Sequence, residues 1–271
     1  MYLLNNFFVM DLKKTCLKVC SLCKETGELI KHHQNQFSSS DIKEKGIHNY
    51  VTYVDKLSER TLTKELLKMI PEAGFIVEEN TIDKKGEKYN WIVDPLDGTT
   101  NFIHSLPIFA ISIALMKDDE VILGVVYEIN FEECFYAWQG SEAFLNDKEI
   151  HVSETSKLDN SLLATGFPYY DYQRLDEYLG LFKYLMKNTQ GLRRWGSAAT
   201  DLAYVACGRF DGFYEYGLSP WDVAAGAFIV KQAGGIVNDF KGENNFIFGK
   251  EIIAANNKIS DEINNTVKIF F

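Results

Sequence analysis

Apolar residues recur at helical spacing through Leu12, Cys16, Val19, Cys20, Cys23 and Ile30, which predicts an amphipathic helix over 10–31. The stretch 38–49 that follows is polar, contains Lys43 and Lys45, and is expected to be mobile. Leu62, Leu66, Leu67 and Ile70 share one face of a second helix over 58–70, which Pro71 stops. The pattern then changes to a strand period. Phe75-Ile76-Val77 is a β-like run that ends in Glu78 and Glu79, and β-branched and aromatic residues predict strands over 89–93, 108–116, 121–129 and 131–138. Lys117-Asp118-Asp119-Glu120 suits a hairpin connection. A polar stretch, 146–159, divides a first α+β half (10–145) from a second (146–271). In the second half the pattern predicts strands over 162–165, 191–195, 212–216, 236–239 and 252–255. Helices are expected over 172–188, over 198–207 with Gly208 as its stop, and over 223–233, ended by Gly234-Gly235. Pattern alone gives a mixed α/β chain.

The densest chemistry lies in Trp91-Ile92-Val93-Asp94-Pro95-Leu96-Asp97-Gly98-Thr99-Thr100-Asn101-Phe102. Pro95 denies a ladder donor, so the chain is expected to leave its sheet between Asp94 and Asp97, with both acids projecting from a rim. Two carboxylates so close repel unless a hard cation lies between them, and oxygen-only ligation suits Mg²⁺ rather than zinc. Gly98 permits close approach of an anion, and Thr99 and Thr100 add hydroxyls and, at a helix start, N–H groups. An Asx-type turn would use the same residues. Downstream, Ser219-Pro220-Trp221-Asp222-Val223-Ala224-Ala225-Gly226 places Asp222 at the opening of a buried helix, as an N-cap or as a further acid for the same rim. Convergence of these ends with Glu78 at one edge of a layered domain makes a metal site.

Composition narrows the class. With 271 residues, 46% hydrophobic and 24% charged, the chain reads as an ordinary soluble globule. Its net charge of −10 argues against a nucleic-acid surface and leaves the reversal of field at a phosphate to bound cations. Five cysteines, Cys16, Cys20, Cys23, Cys134 and Cys207, point to reduced thiols in a cytoplasm, and the helical spacing of the first three favours core packing over ligation. Residues 1–9 are apolar, but they lack a basic flank and a cleavage site. They are expected to be a disordered extension rather than a signal or membrane span.

The segments Asp94-Pro95-Leu96-Asp97-Gly98-Thr99-Thr100 and Trp221-Asp222-Val223-Ala224-Ala225-Gly226 together resemble the two signatures of the inositol monophosphatase family, in the right order. The likeness extends through Val51-Thr52-Tyr53-Val54-Asp55, Glu78-Glu79, Gly196-Ser197-Ala198-Ala199, Tyr214-Glu215 and Gly234-Gly235. It implies an α/β (α+β) fold, a layered α-β-α-β-α sandwich of the inositol monophosphatase and fructose-1,6-bisphosphatase type, as a homodimer. It also implies a lithium-sensitive phosphomonoesterase with two or three Mg²⁺ ions. Glu78, Asp94 and the Leu96 carbonyl would hold one ion and Asp94, Asp97 and Asp222 another, with Glu78 sharing a weaker third. Thr99, hydrogen-bonded to Asp55, would orient the attacking water. Gly98, Thr99 and Thr100 would bind phosphate, and Asp97, Arg193, Gly196, Ser197, Ala198 and Glu215 the substrate hydroxyls. On residue type alone Glu215 could equally be a strand-edge charge and Arg193 a solvated cation.

The substrate implied is inositol 1-phosphate or a related polyol or sugar phosphate. Rivals are fructose 1,6-bisphosphate, histidinol phosphate and nucleotide 3′-phosphates. Thr165-Gly166-Phe167-Pro168 and Arg193-Arg194-Trp195-Gly196-Ser197 are similar to bacterial members, some of which act as partners in transcription or ribosome assembly. A binding role with incidental catalysis is therefore a second expectation.

Overall fold

Burial on both faces of a strand demands a layer on each side. In β4 (Tyr89–Asp97), Trp91 and Val93 pack into one core and Ile92 into another, so this strand cannot lie at a wet sheet surface. A computed structural model, which describes residues 10–34, 36, 42–46, 49–168 and 171–271, shows what covers it. Helices α1 (Leu12–Gln34) and α2 (Tyr53–Met69) cover the outer face. α5 (Ala198–Ala206) and α6 (Pro220–Gln232) cover the inner one.

The sheet has seven strands in the order β3 (Gly74–Val77), β4, β5 (Ala110–Lys117), β6 (Glu120–Glu128), β7 (Glu133–Trp138), β8 (Ala143–Leu145) and β9 (Lys148–Ile150). Only β3 and β4 run parallel. A second sheet of five strands follows the order β11 (Gly191–Arg193), β10 (Leu162–Thr165), β12 (Gly212–Tyr216), β14 (Glu251–Ala255) and β13 (Ile236–Asn238). Phe213 faces α5 and α6, while Tyr214 faces the outer pair α4 (Leu175–Asn188) and α7 (Ser260–Phe270). The result is the layered α-β-α-β-α sandwich.

The middle layer dictates the sequence of α6. Lying between two sheets and against α5, it has no wet face, and Val223, Ala224, Ala225 and Ala227 are all buried. Small residues allow the approach. A Cβ on Gly226 would lie 2.6 Å from the Leu202 Cβ, and one on Gly124 of β6 would lie 2.8 Å from the Ala225 carbonyl oxygen. Cys16, Cys20, Cys23 and Cys134 are free thiols packed in the core beneath α1. Among the described residues no helix is long and apolar enough to cross a membrane.

Several boundaries differ from the sequence reading. The stretch expected to be mobile contains β1 (Ile42–Gly46) and β2 (Asn49–Thr52), an antiparallel pair. Main-chain pairing needs no apolar pattern, so charge alone was a poor guide there. Residues 38–41 and 47–48, and the extension expected at 1–9, lie outside the described residues. α2 starts at Tyr53 rather than 58, because Thr52 caps it and Asp55 returns the bond to the cap backbone. The first sheet continues through Ile150. α7 was not foreseen, although Ile259, Ile263 and Val267 recur at helical spacing; its asparagine and threonine residues obscure the run.

Candidate metal centre

Two signature segments meet at the rim between the first sheet and the middle helices. The chain does not leave the sheet at Pro95, as its missing donor suggested. β4 continues to Asp97, with Asp94 opposite Ser112 and Asp97 opposite Ala110, three steps along one strand against two along its neighbour. This is a bulge, which accommodates a proline and shifts the alternation so that residues three apart share a side. Asp94 then takes the Leu96 N–H on Oδ1 at 2.9 Å.

Helix starts hold the other acids. Asp97 Oδ2 accepts bonds from Ser197 Oγ and the Ala199 N–H, each at 2.7 Å, so the first turn of α5 is tied to β4. Ser197, expected as a substrate contact, thus caps α5 and grips Asp97. Asp222 does not open α6. Ser219 is the N-cap, and Asp222, the third residue of the helix, reaches back to the Ser219 N–H at 2.6 Å. Capping and clustering are therefore compatible, because one carboxylate oxygen suffices for the cap. Oxygens of Asp94, Asp97 and Asp222 all lie within 4.8 Å of one another. Glu78 follows β3 and lines the same cavity. The turn after it is fixed by the buried Glu59 of α2, whose two oxygens accept the N–H groups of Glu79 at 2.6 Å and Thr81 at 2.7 Å.

Crowding registers in the acidities. Burial, then the charges of Glu78, Asp97 and Asp222, hold the Asp94 carboxyl well above the usual carboxylate range. Burial and Asp97 push Asp222 up to about 7. Burial raises Asp97 to about 6 against the bonds from Ser197 and Ala199 and the charge of Arg194, which lower it. A divalent cation would resolve this conflict, and a donor set of carboxylates and a carbonyl suits a hard one.

Beside the acids, Thr99 starts α3 (Thr99–Ile103) behind Gly98. Gly98 has φ +94°, which favours glycine, and a Cβ there would crowd the Ile108 carbonyl oxygen at 3.0 Å. Thr99 Oγ1 lies 3.1 Å from Asp55 Oδ1 and 3.0 Å from the Leu96 carbonyl oxygen, and its one hydrogen can serve only one of them at a time. Asp55 is buried, which raises its pKa against the bonds from Thr52 and Thr99 that lower it.

The cavity is further lined by Gly98, Thr100, Gly196, Ala198 and Glu215, but not by Arg193. Arg193 is exposed and donates to the Leu192 carbonyl, whereas its neighbour Arg194 lines the cavity. Adjacent residues leaving a strand face opposite ways, and the sequence offered two arginines without the register to choose between them. Glu215 is buried, not a surface charge. Burial, then Asp201 and Asp222, hold it well above its ordinary range. Asp201 and Asn101 were also missed. Asp201 is buried in the first turn of α5 and lines the cavity. Asn101 donates to the Ile108 and Trp195 carbonyls, both at 2.7 Å, joining the rim of the first sheet to the loop before α5. Motif spacing gives no signal for such partners, which lie far apart in sequence.

Comparison with known proteins agrees with this geometry. A sequence model of the inositol monophosphatase family matches residues 12–269. The chain is 42% identical over 250 residues to the Nus factor SuhB of Pseudomonas aeruginosa, covering 90% of this chain and 92% of that protein. It is 36% identical over 245 residues to an inositol-1-monophosphatase of Mesorhizobium japonicum, with coverage of 90% and 92%. Among solved structures, the extragenic suppressor protein SuhB of Bartonella henselae superposes with a TM-score of 0.88 at 38% identity, over 92% of this chain and 96% of that one. An IMPase of Thermotoga maritima gives 0.86 at 36%, over 95% and 98%.

Proposed function

The chain belongs to the inositol monophosphatase family, and from that premise we propose that it is a Mg²⁺-dependent phosphomonoesterase for inositol 1-phosphate or a related polyol or sugar phosphate, working as a cytoplasmic homodimer. One observation carries the reading: three carboxylates, two from β4 and one from the distant start of α6, with oxygens within 4.8 Å of one another, open onto a cavity flanked by Thr99 and Glu215. Glu78, Asp94 and the Leu96 carbonyl would hold one Mg²⁺, and Asp94, Asp97 and Asp222 a second, with Glu78 sharing a third. When bound, such ions supply Lewis acidity and neutralise charge during phosphoryl transfer.

The chain's own groups do the rest. Asp55 holds the Thr99 hydroxyl, which orients an attacking water and passes on its proton. The amides of Gly98, Thr99 and Thr100, at the start of α3, would bind the phosphoryl oxygens. Ser197 and Ala199 lock Asp97, and Gly196 and Ala198 line the wall beside it. Glu215 accepts from substrate hydroxyls. Arg194 is the one basic residue lining the cavity among those described, which favours a monoester over a bisphosphate.

A panel of phosphate esters tests this. Release of phosphate is expected to require Mg²⁺, to be fastest with inositol 1-phosphate, to be slower with fructose 1,6-bisphosphate and adenosine 3′,5′-bisphosphate, and to fall in millimolar lithium. No Mg²⁺-dependent release from any ester would end the reading.

The relatives named Nus factors favour a second reading, in which the chain binds transcription proteins independently of catalysis. An Asp97→Asn variant without phosphatase activity that still captures transcription proteins would separate the two roles.

A further inference from the structure

We propose that Phe167 is a specificity-determining platform whose ring receives the C–H face of a cyclic polyol, so that the protein prefers phosphate esters of cyclitols and pyranoses to those of open-chain polyols. This rests on the phosphatase reading and narrows its substrate class. Phe167 is 43% exposed, as other large apolar side chains of the chain are, but it is the phenylalanine that lines the cavity, and no catalytic role explains it there.

The ring is held in place. Tyr178 meets it edge-on with centroids 6.5 Å apart, and the Arg194 guanidinium lies 5.2 Å from its centroid. Behind it, the Tyr178 hydroxyl donates to the Gly166 carbonyl at 2.7 Å. The same backbone abuts the group that would read hydroxyls, since a Cβ on Gly166 would lie 2.0 Å from the Glu215 carboxylate. An apolar ring on the loop after β10 and an ionisable acceptor on β12 therefore line the same cavity as the phosphoryl site.

That pairing has a definite chemical complement. A six-membered polyol ring presents axial C–H bonds on its faces and hydroxyls around its edge, so one molecule can lie on the part of the phenyl ring that the Arg194 guanidinium leaves exposed while donating to Glu215 and accepting from Arg194. An open-chain polyol has no permanent apolar face. It must give up rotamer freedom to imitate one, so it gains less from the platform. As sequence, Thr165-Gly166-Phe167-Pro168 stands apart only by its similarity to bacterial members. The structure gives its phenylalanine a contact to make.

The test compares myo-inositol 1-phosphate with glycerol 2-phosphate, both with Mg²⁺, in the parent and in Phe167→Ala, Phe167→Leu and Phe167→Tyr. In the parent the ratio of kcat/KM, cyclic over open-chain, is expected to exceed one. In Phe167→Ala and Phe167→Leu it should fall about fivefold to tenfold, mostly through KM for the cyclic ester. Phe167→Tyr, which keeps the ring, should hold the ratio near that of the parent. Leucine guards against a folding artefact, because it preserves apolar bulk and loses only the flat face. An active parent whose ratio stays within about twofold in both the alanine and leucine variants overturns the platform alone. A changed oligomeric state with an unchanged ratio would make Phe167 an interface residue instead. A parent inert toward both esters overturns the phosphatase reading, and the platform with it.

Discussion

Asp94→Asn is expected to abolish Mg²⁺-dependent turnover while leaving the metal-free fold at least as stable as the parent. Asp94 is 2% exposed, and its carboxylate faces Glu78, Asp97 and Asp222. Asparagine keeps its shape and can keep the bond from the Leu96 N–H, because its carbonyl oxygen accepts as Oδ1 does. What disappears is the charge shared between the proposed cation positions. Several kcal/mol of charge stabilisation at a reacting phosphoryl group corresponds to a loss of roughly a thousandfold in kcat. In the absence of metal the same change removes a buried acid that must either stay charged amid like charges or take up a proton, each at a cost to folding, so unfolding in urea with a chelator should need about 1–2 kcal/mol more. The two measurements together discriminate. Unchanged turnover would remove Asp94 from the ligand set, and lost turnover with a destabilised metal-free protein would mean the residue serves the fold.

How much of this was legible in the sequence depended on whether the information was local. Asp94, Asp97 and Asp222 could be picked out because each lies in a short segment whose neighbours, Pro95 and the small residues after Asp222, are unusual for any other purpose. The alternation of Trp91, Ile92 and Val93 and the all-apolar run of α6 likewise carried the layering. What failed was parity and distance. Choosing Arg193 over Arg194 needed the register of the three-residue strand β11, which no periodicity in so short a stretch can set. Glu59, Asn101 and Asp201 act on segments remote in the chain, and nothing in their own neighbourhood distinguishes them from ordinary polar residues. Asp222 shows a third kind of difference. Its role as a helix-start residue and its role in the cluster were weighed as alternatives, but two oxygens let one carboxylate do both.

The metal-free protein should lose stability as pH rises from about 4 to about 7, and Mg²⁺ should restore it most at the alkaline end. Asp222 is raised to about 7 and Asp97 to about 6, from 3.8, both chiefly by burial. Between the unfolded and folded values the folded state holds protons that the unfolded state has released, so the slope of unfolding free energy against pH is negative. The contribution is fully present below about 4 and gone once pH has passed about 7. A tenfold difference in proton affinity between the folded and unfolded states is worth about 1.4 kcal/mol. The two acids share one cluster and titrate together, so the whole effect is on the order of a few kcal/mol rather than the sum of two independent titrations. Mg²⁺ binds the deprotonated form, so the increase in Tm on adding it should be small at pH 5 and large at pH 8, growing with concentration as binding to the folded state requires. Calorimetry with chelator and with Mg²⁺ across that range measures both trends, and Asp222→Asn should flatten the metal-free slope. A metal-induced change in Tm that does not vary with pH would mean that the cation binds elsewhere than among these carboxylates.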